Sequence, residues 1–548
     1  MKLTVTFENS RYEFPYFLTA ASFLKEHTDS GVRFAAVKIN GVPAPLSAVL
    51  NRSCRLETVA SDSPEAAAVF RRTLNFLTAA VTAELFPDNP FEIRRSVTLG
   101  YAYGVGGSGW NEDRAERLCR ALNDLRQSGE TIREHLLSYA EVKELHAKGG
   151  IPESTFKLLE FIPSDEIRLY ERNGIYRYSF HFLTTDLSLL PPCETVFEEN
   201  GCVVRFTVDS ETGTPSPFRM NHTLVRVYEK GSRWGEISGV KTVGDLNECI
   251  RQNRVADFIR INETLQENAL AETASYIAAR GDEVRAVLLA GPSSSGKTTT
   301  LKRLCTQLEV LGYHPIPLSL DNYYRNREEI PRDENGDYNF ECLESIDVPL
   351  IRRQLSDFFD GKTVTPPVFD FVSGKRRPGT PIEPRPDSIV VIEGIHGLNP
   401  ELLPKTAADR VFRVYLSALT QIRIDSGNRI ATTDNRLLRR LVRDAKYRNT
   451  PAERTFEMWP KVIDGERKYI FPFQNEADIA FNSSLDYEIS VLKVYAEPLL
   501  RSIRPDSPHF AAASHLLKLL SLFLSIPEQD VPPYSLLREF IGNSGFSY

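Results

Sequence analysis

An apolar run from Val284 to Ala290 breaks into Gly291-Pro292-Ser293-Ser294-Ser295-Gly296-Lys297-Thr298. This Gly-x-x-x-x-Gly-Lys-Thr spacing constrains the fold more than any other stretch, because it works only between a strand and the start of a helix. Such a turn aims backbone N–H groups inward, and the helix that follows presents its positive end, so together they cradle phosphate. Gly291 and Gly296 permit close backbone approach. Ser293, Ser294, Ser295 and Thr299 complete the expected cradle. Lys297 is expected to reach the outer phosphates of a nucleoside triphosphate, and the Thr298 hydroxyl to hold magnesium. The competing reading is a glycine–serine turn with an exposed lysine.

The residues after the loop predict an α/β domain over 283–495. Apolar runs at His314–Leu320, Ser388–Ile392, Val411–Ser417 and Ala477–Phe481 alternate with helical stretches. That is the pattern of a parallel sheet with helices on both faces, whose ligands sit beyond the carboxyl ends of the strands. Two of these runs end in acids, Asp321 and Glu393. Asp321 is suited to take the proton of an attacking hydroxyl, and Glu393 to accompany magnesium. The plain alternatives are a turn cap and a strand-end charge. Arg436, Arg440 and Arg443 recur at helical spacing. They would either neutralise a transferring phosphoryl group or form a basic face paired to acids.

A chain of 548 residues has room for roughly three or four domains. Its net charge of −7 gives no global attraction to nucleic acid or anionic membrane. Seven scattered cysteines without a Cys-x-x-Cys pair fit a reduced cytoplasm better than a disulfide framework or a zinc site. The greasy stretch Leu516–Ile526 contains Lys518, is too short to span a bilayer and reads as a buried helix. In residues 1–61, Leu3, Val5 and Phe7 alternate as a strand does; a helix is expected over Ala20–His27, and strands over Phe34–Ile39 and Cys54–Val59. Gly104-Val105-Gly106-Gly107-Ser108-Gly109 fits Gly-x-Gly-x-x-Gly between a strand-like run, Val97–Tyr103, and a helix, Asn111–Gln127. The charged, helical composition of Thr131–His146 denies it the buried strand a dinucleotide site needs, so it reads as a flexible glycine loop. Residues 226–282 read as a polar connector with one helix opening at Val243, capped by Asp245, and another over Glu263–Arg280. Residues 496–548 read as a helical tail, its Ser535–Gly542 segment packed rather than catalytic.

The strand and helix order of 1–61 resembles the TGS domain, a ubiquitin-like β-grasp fold found in front of threonyl-tRNA synthetases. Arg71–Ala80 with Glu84-Leu85-Phe86-Pro87 resembles the opening helix of the α+β editing domain of those synthetases, over 62–225. That family carries a His-x-x-x-His pair where this chain has Arg72 and Phe76, so the resemblance implies a module without hydrolytic or metal chemistry. His181 and Cys193 remain near in sequence but lack further partners. RNA or a regulator is the candidate partner of this half.

The phosphate loop, Asp321-Asn322-Tyr323-Tyr324, Tyr338-Asn339-Phe340-Glu341, Pro367–Phe371, Val391–Gly394 and Arg439–Asp444 together resemble the uridine kinase and phosphoribulokinase family, a P-loop kinase fold. The resemblance implies γ-phosphate transfer from ATP, with Mg2+, to a hydroxyl, the 5′-hydroxyl of a nucleoside in uridine–cytidine kinases. It implies Asp321 as base and Glu393 as magnesium partner. Tyr324, Glu341, Phe369 and Phe371 would line the substrate pocket, and Arg440, Arg443 and Arg448 would contact substrate or phosphates. Three positions depart from the family: Phe369 and Gly374 stand where uridine kinases use a tyrosine and a histidine to read the pyrimidine, and Glu341 is one methylene longer than the acid of their Asn-Phe-Asp run. Ile424–Asp434 is an insertion relative to short uridine kinases, expected to act as a lid or a substrate-selective loop. The reading is a cytoplasmic small-molecule kinase with a homo-oligomer as candidate assembly. Its rivals are an RNA-binding or regulatory protein and an editing hydrolase.

Overall fold

The computed structural model describes every residue except 1–2, 15–16, 30–32, 163, 210–212, 215, 219, 335, 404–408 and 548. Alternation in Leu3–Phe7 buries Leu3, Val5 and Phe7 on one sheet face. That strand pairs antiparallel with Ser10–Phe14 and parallel with Cys54–Ala60; Phe34–Ile39 and Val42–Ala44 extend the sheet beyond Cys54–Ala60. Helix Ala20–His27, capped by the Thr19 hydroxyl, lays Phe23 and Leu24 against this sheet.

The next unit is built on helix Pro64–Leu85, which starts with a Ser63 cap and a proline in its first turn. It packs on an antiparallel sheet ordered Cys193–Glu198, Gly201–Phe206, Gly100–Val105, Phe91–Val97. Three expectations change here. The run Val97–Tyr103 is not one strand, because a turn at Leu99 (φ 63) folds it into a hairpin. Thr131–His146 is not one helix: Arg133–Leu137 is a strand in a second, three-stranded sheet, and a Ser138–Glu141 capping box then opens helix Tyr139–Ala147. Charged residues on a half-exposed strand had masked its alternation. The glycine loop is pinned rather than flexible, since the Asn89 amide donates to the carbonyls of Gly106 and Ser108.

Helices His222–Ser238, Val243–Arg251 and Val255–Ala279 form the connector. Thr242, not Asp245, caps the second; Asp245 answers from the third helical position by accepting the Thr242 N–H. The third begins at Val255, ahead of the expected Glu263, because the buried pair Phe258 and Ile259 extends its apolar face upstream.

The phosphate-loop strand Ala286–Ala290 is buried along its whole length, as a central parallel strand must be. It sits in an all-parallel sheet ordered His314–Ser319, Ser388–Gly394, Ala286–Ala290, Val411–Ser417, Ile479–Asn482. Helices cover both faces. Val255–Ala279 and Lys297–Val310 bury Leu270, Ala274, Leu304 and Leu308 on one. Val348–Phe359 buries Ile351, Leu355 and Phe358 on the other. Register then aligns the strand ends, with Ser319 and Leu289 both beside Glu393.

The greasy stretch is only partly helical. Helix Phe510–Ser521 ends before Leu522, and Phe523 and Ile526 follow as buried loop residues packed with the helix Thr432–Arg448. The chain then returns to the phosphate loop. Among the described residues no helix is long and apolar enough to cross a membrane.

Candidate active site

The loop Gly291–Gly296 has the shape a phosphate cradle needs. Ser294 (φ 58) and Gly296 (φ 84) are left-handed. A side chain at Gly291 would strike the Leu416 carbonyl at 2.1 Å. Gly296 leads directly into helix Lys297–Val310, which has no side-chain cap. The Lys297 ammonium folds back over the loop, 3.1 Å from the Gly291 carbonyl and 3.2 Å from that of Pro292.

Two acids join it. The Thr298 hydroxyl lies 3.3 Å from Glu393 Oε1. Burial pushes the Glu393 carboxyl up to about 7, Lys297 opposing and Asp321 adding to the rise. Asp321, in the single turn Leu320–Tyr323, is likewise raised by burial and pulled back by Lys297, Arg448 and Arg443. Lysine, base candidate and metal-ligand candidate therefore share one cleft. The hydroxyl and carboxylate oxygens of Thr298 and Glu393 suit magnesium, which takes one or two protein carboxylates and completes its shell with water and phosphates.

Glu341 faces the same cleft. Burial raises its carboxyl to about 7, with Glu466 adding and Arg440 and Lys297 opposing. It lies so close to Gly465 that a side chain there would meet Glu341 Cβ at 2.8 Å. Tyr324 forms one wall of an aromatic box, with ring centroids 5.3 Å from Phe340, 5.7 Å from Phe369 and 6.2 Å from Phe371. The Phe371 ring is 56% exposed, so the box opens outward. Gly374 does not leave an empty place: it turns the hairpin with φ 69, and the Arg327 side chain occupies the space a side chain there would need.

On the arginine helix, Thr432–Arg448, the basic residues are paired to acids. Arg436 is 2% exposed; it pairs with the buried Glu466, and its Nε donates to the Ser293 carbonyl at 3.0 Å. Glu466 in turn accepts the Ser293 N–H at 3.1 Å. Arg439, fully buried, donates to Glu488 and to the Ser294 carbonyl. Arg440 reaches the Ser293 hydroxyl at 2.9 Å. Arg440, Arg443 and Arg448 all fan around one buried carboxylate, Asp444. The inner turns of this helix clamp the phosphate loop, and its last turns face Asp321.

The tail supplies the contact least visible in the sequence. Glu539 accepts from the Thr299 N–H at 3.1 Å and from its hydroxyl at 2.7 Å, and a side chain at Gly296 would run into Leu536. Glu466, Glu488 and Glu539 were missed by sequence reasoning, since only the fold brings them to the loop or to the arginines that hold it. Ile424–Asp434 is not a lid. Asp425 accepts from Thr155, Ser426 from the Ile93 N–H and Gly427 from Asn75, so the insertion plugs into the preceding unit.

Residues 286–490 match the phosphoribulokinase / uridine kinase family. They are a P-loop kinase domain of that family. The chain is 28% identical over 204 residues to a uridine kinase of Lactobacillus johnsonii, covering 37% of this chain and 88% of the relative. It is 29% identical over 192 residues to a uridine kinase of Staphylococcus aureus, covering 35% and 84%. Among solved structures, D-glycerate 3-kinase from Cryptococcus neoformans is similar at 14% identity over 36% of this chain and 87% of that one, with a TM-score of 0.27.

Proposed function

We infer that the chain is an ATP- and magnesium-dependent kinase that phosphorylates a hydroxyl of a small molecule, and that its acceptor is a nucleoside. The observation that carries the reading is the meeting of Lys297, the Thr298–Glu393 pair and Asp321 at adjacent strand ends. Gly291–Gly296 and the first turn of the helix after it would hold the triphosphate, and Lys297 would exchange two loop carbonyls for phosphate oxygens. Thr298 and Glu393 would hold magnesium, which when bound supplies positive charge to the polyphosphate. Asp321 would accept the proton of the acceptor hydroxyl; desolvation raises its carboxyl, while Lys297, Arg448 and Arg443 pull it back. Arg440 and Arg443 would balance charge on the moving group. The outward-opening box of Tyr324, Phe340, Phe369 and Phe371 favours a flat ring, which supports a nucleoside of the uridine or cytidine type with its 5′-hydroxyl turned inward.

For the first half we propose a β-grasp module of the TGS kind followed by an editing-like module without its chemistry. The parallel central pair and crossing helix of 3–60 support the former. Arg72 and the buried Phe76 at the positions of the paired histidines support the latter.

The test is to incubate the full chain with ATP, magnesium and a panel of nucleosides, ribulose 5-phosphate and pantothenate, and identify the product by mass. A nucleoside 5′-monophosphate is expected. Phosphorylation of a panel member without a base would reject the nucleoside, and no product from any would reject the kinase.

A further inference from the structure

A cavity lies where helix Pro64–Leu85, the insertion 424–431 and helix Phe510–Ser521 meet the first turn of the arginine helix. Arg71, Arg72, Arg429, His181, His515 and Asp434 line it, so three guanidiniums face one carboxylate. That carboxylate is engaged, lying 2.8 Å from His515 Nε2. Arg429 is engaged too, donating to the Ser96 hydroxyl at 2.9 Å. The Arg71 and Arg72 side chains have no hydrogen bond or ion pair among the described residues, and Arg72 Nε is sealed from solvent. The Arg72 guanidinium lies over the Phe182 ring, 5.7 Å from its centroid. Burial lowers Arg72 to about 10 and holds His181, stacked on His515, neutral.

A guanidinium N–H shut away from water with no acceptor is unfavourable unless an anion joins it. The cavity offers what such an anion would need. Two guanidiniums on consecutive residues provide forked donors. The arginine helix begins at Ala431 with no side-chain cap, so its positive end faces the same space. Ile93, Tyr101 and Phe180 add apolar wall for a ligand body.

The geometry points to a second ligand site here: a small molecule bearing a phosphate or carboxylate group, bound by Arg71, Arg72 and the uncapped start of helix Thr432–Arg448. The site is separate from the phosphate loop, although one helix, Thr432–Arg448, touches both. Its seat between two helices and the insertion favours a small molecule over a nucleic-acid strand. It does not depend on the kinase reading.

The probe is phenyl phosphate, titrated calorimetrically into the full chain, with phenylacetate as the carboxylate arm and a short single-stranded RNA bearing a 3′-phosphate as the strand arm. Binding of either small anion that survives Lys297→Ala and weakens at least tenfold in Arg72→Gln is expected. Hydrogen exchange should slow in 429–436 and not in 291–300. Arg71→Gln carries the same expectation should Arg72→Gln fail to fold. The proposal is overturned if neither small anion binds, if Lys297→Ala abolishes the binding, if the arginine variants bind as the parent does, or if only the RNA binds.

Discussion

Replacing Glu539 by glutamine should tighten triphosphate binding. The Glu539 carboxylate takes both donors of Thr299, the residue right after the Lys297–Thr298 pair, at 3.1 and 2.7 Å. Those donors stand at the open N-terminal end of a helix, where a bound phosphate would compete for them. A hydrogen bond to a charged group contributes about 1.5–3 kcal/mol, and the favourable field of the helix end about 0.3–1 kcal/mol more. Displacing the carboxylate therefore costs on the order of 2 kcal/mol, or about 30-fold in dissociation constant. Glutamine keeps the length and one weak acceptor but loses the charge, so roughly a tenfold gain in affinity is expected. The assay is fluorescence titration with a labelled ATP analogue, with thermal unfolding of the unliganded chain as control. The unliganded variant should be less stable by about 1 kcal/mol, because the helix start loses its anion. Unchanged or weaker binding would refute the reasoning, since Glu539 would then belong to the nucleotide site rather than compete for it.

Three further outcomes follow from the same geometry. Asp321→Asn should lower turnover by on the order of 10²- to 10⁴-fold with circular dichroism unchanged, as loss of a general base does; near-normal turnover would remove it from that role. Glu466→Gln should destabilise the chain by about 3 kcal/mol in urea denaturation and raise the KM for ATP, because it strands the buried Arg436 and frees the Ser293 N–H; a loss below about 1 kcal/mol would mean the pair is not the clamp described. Glu341→Gln should make unfolding less pH-dependent. The folded carboxyl is raised to about 7, so its share of stability is full below the unfolded value near 4.5 and is lost as pH rises through 7. The variant should then exceed the parent by about 1 kcal/mol at pH 8 and show no advantage at pH 4.5; melts at the two pH values decide it.

Local sequence was sufficient wherever the chemistry is local. The strand before Gly291, the turn and the helix after it are set by a buried apolar run, two glycines and a lysine within a few residues. The acids Asp321 and Glu393 were legible because a strand end is a local event and a parallel sheet aligns such ends by register. Reading failed where partners lie far apart in the chain. The helix spacing of Arg436 and Arg440 revealed a shared face but not that Glu466 and the Ser293 backbone would bury it. Nothing around Ser535–Gly542 signals that a carboxylate there reaches Thr299, 240 residues away. The insertion at 424–434 looked like a lid because polarity fixes exposure in isolation, whereas Thr155, Asn75 and Ile93 turned its polar groups into an interface. Hydrophobic period and turn chemistry act over a few residues and so belong to the sequence; the pairing of buried charges depends on which elements meet, and only the tertiary structure decided that.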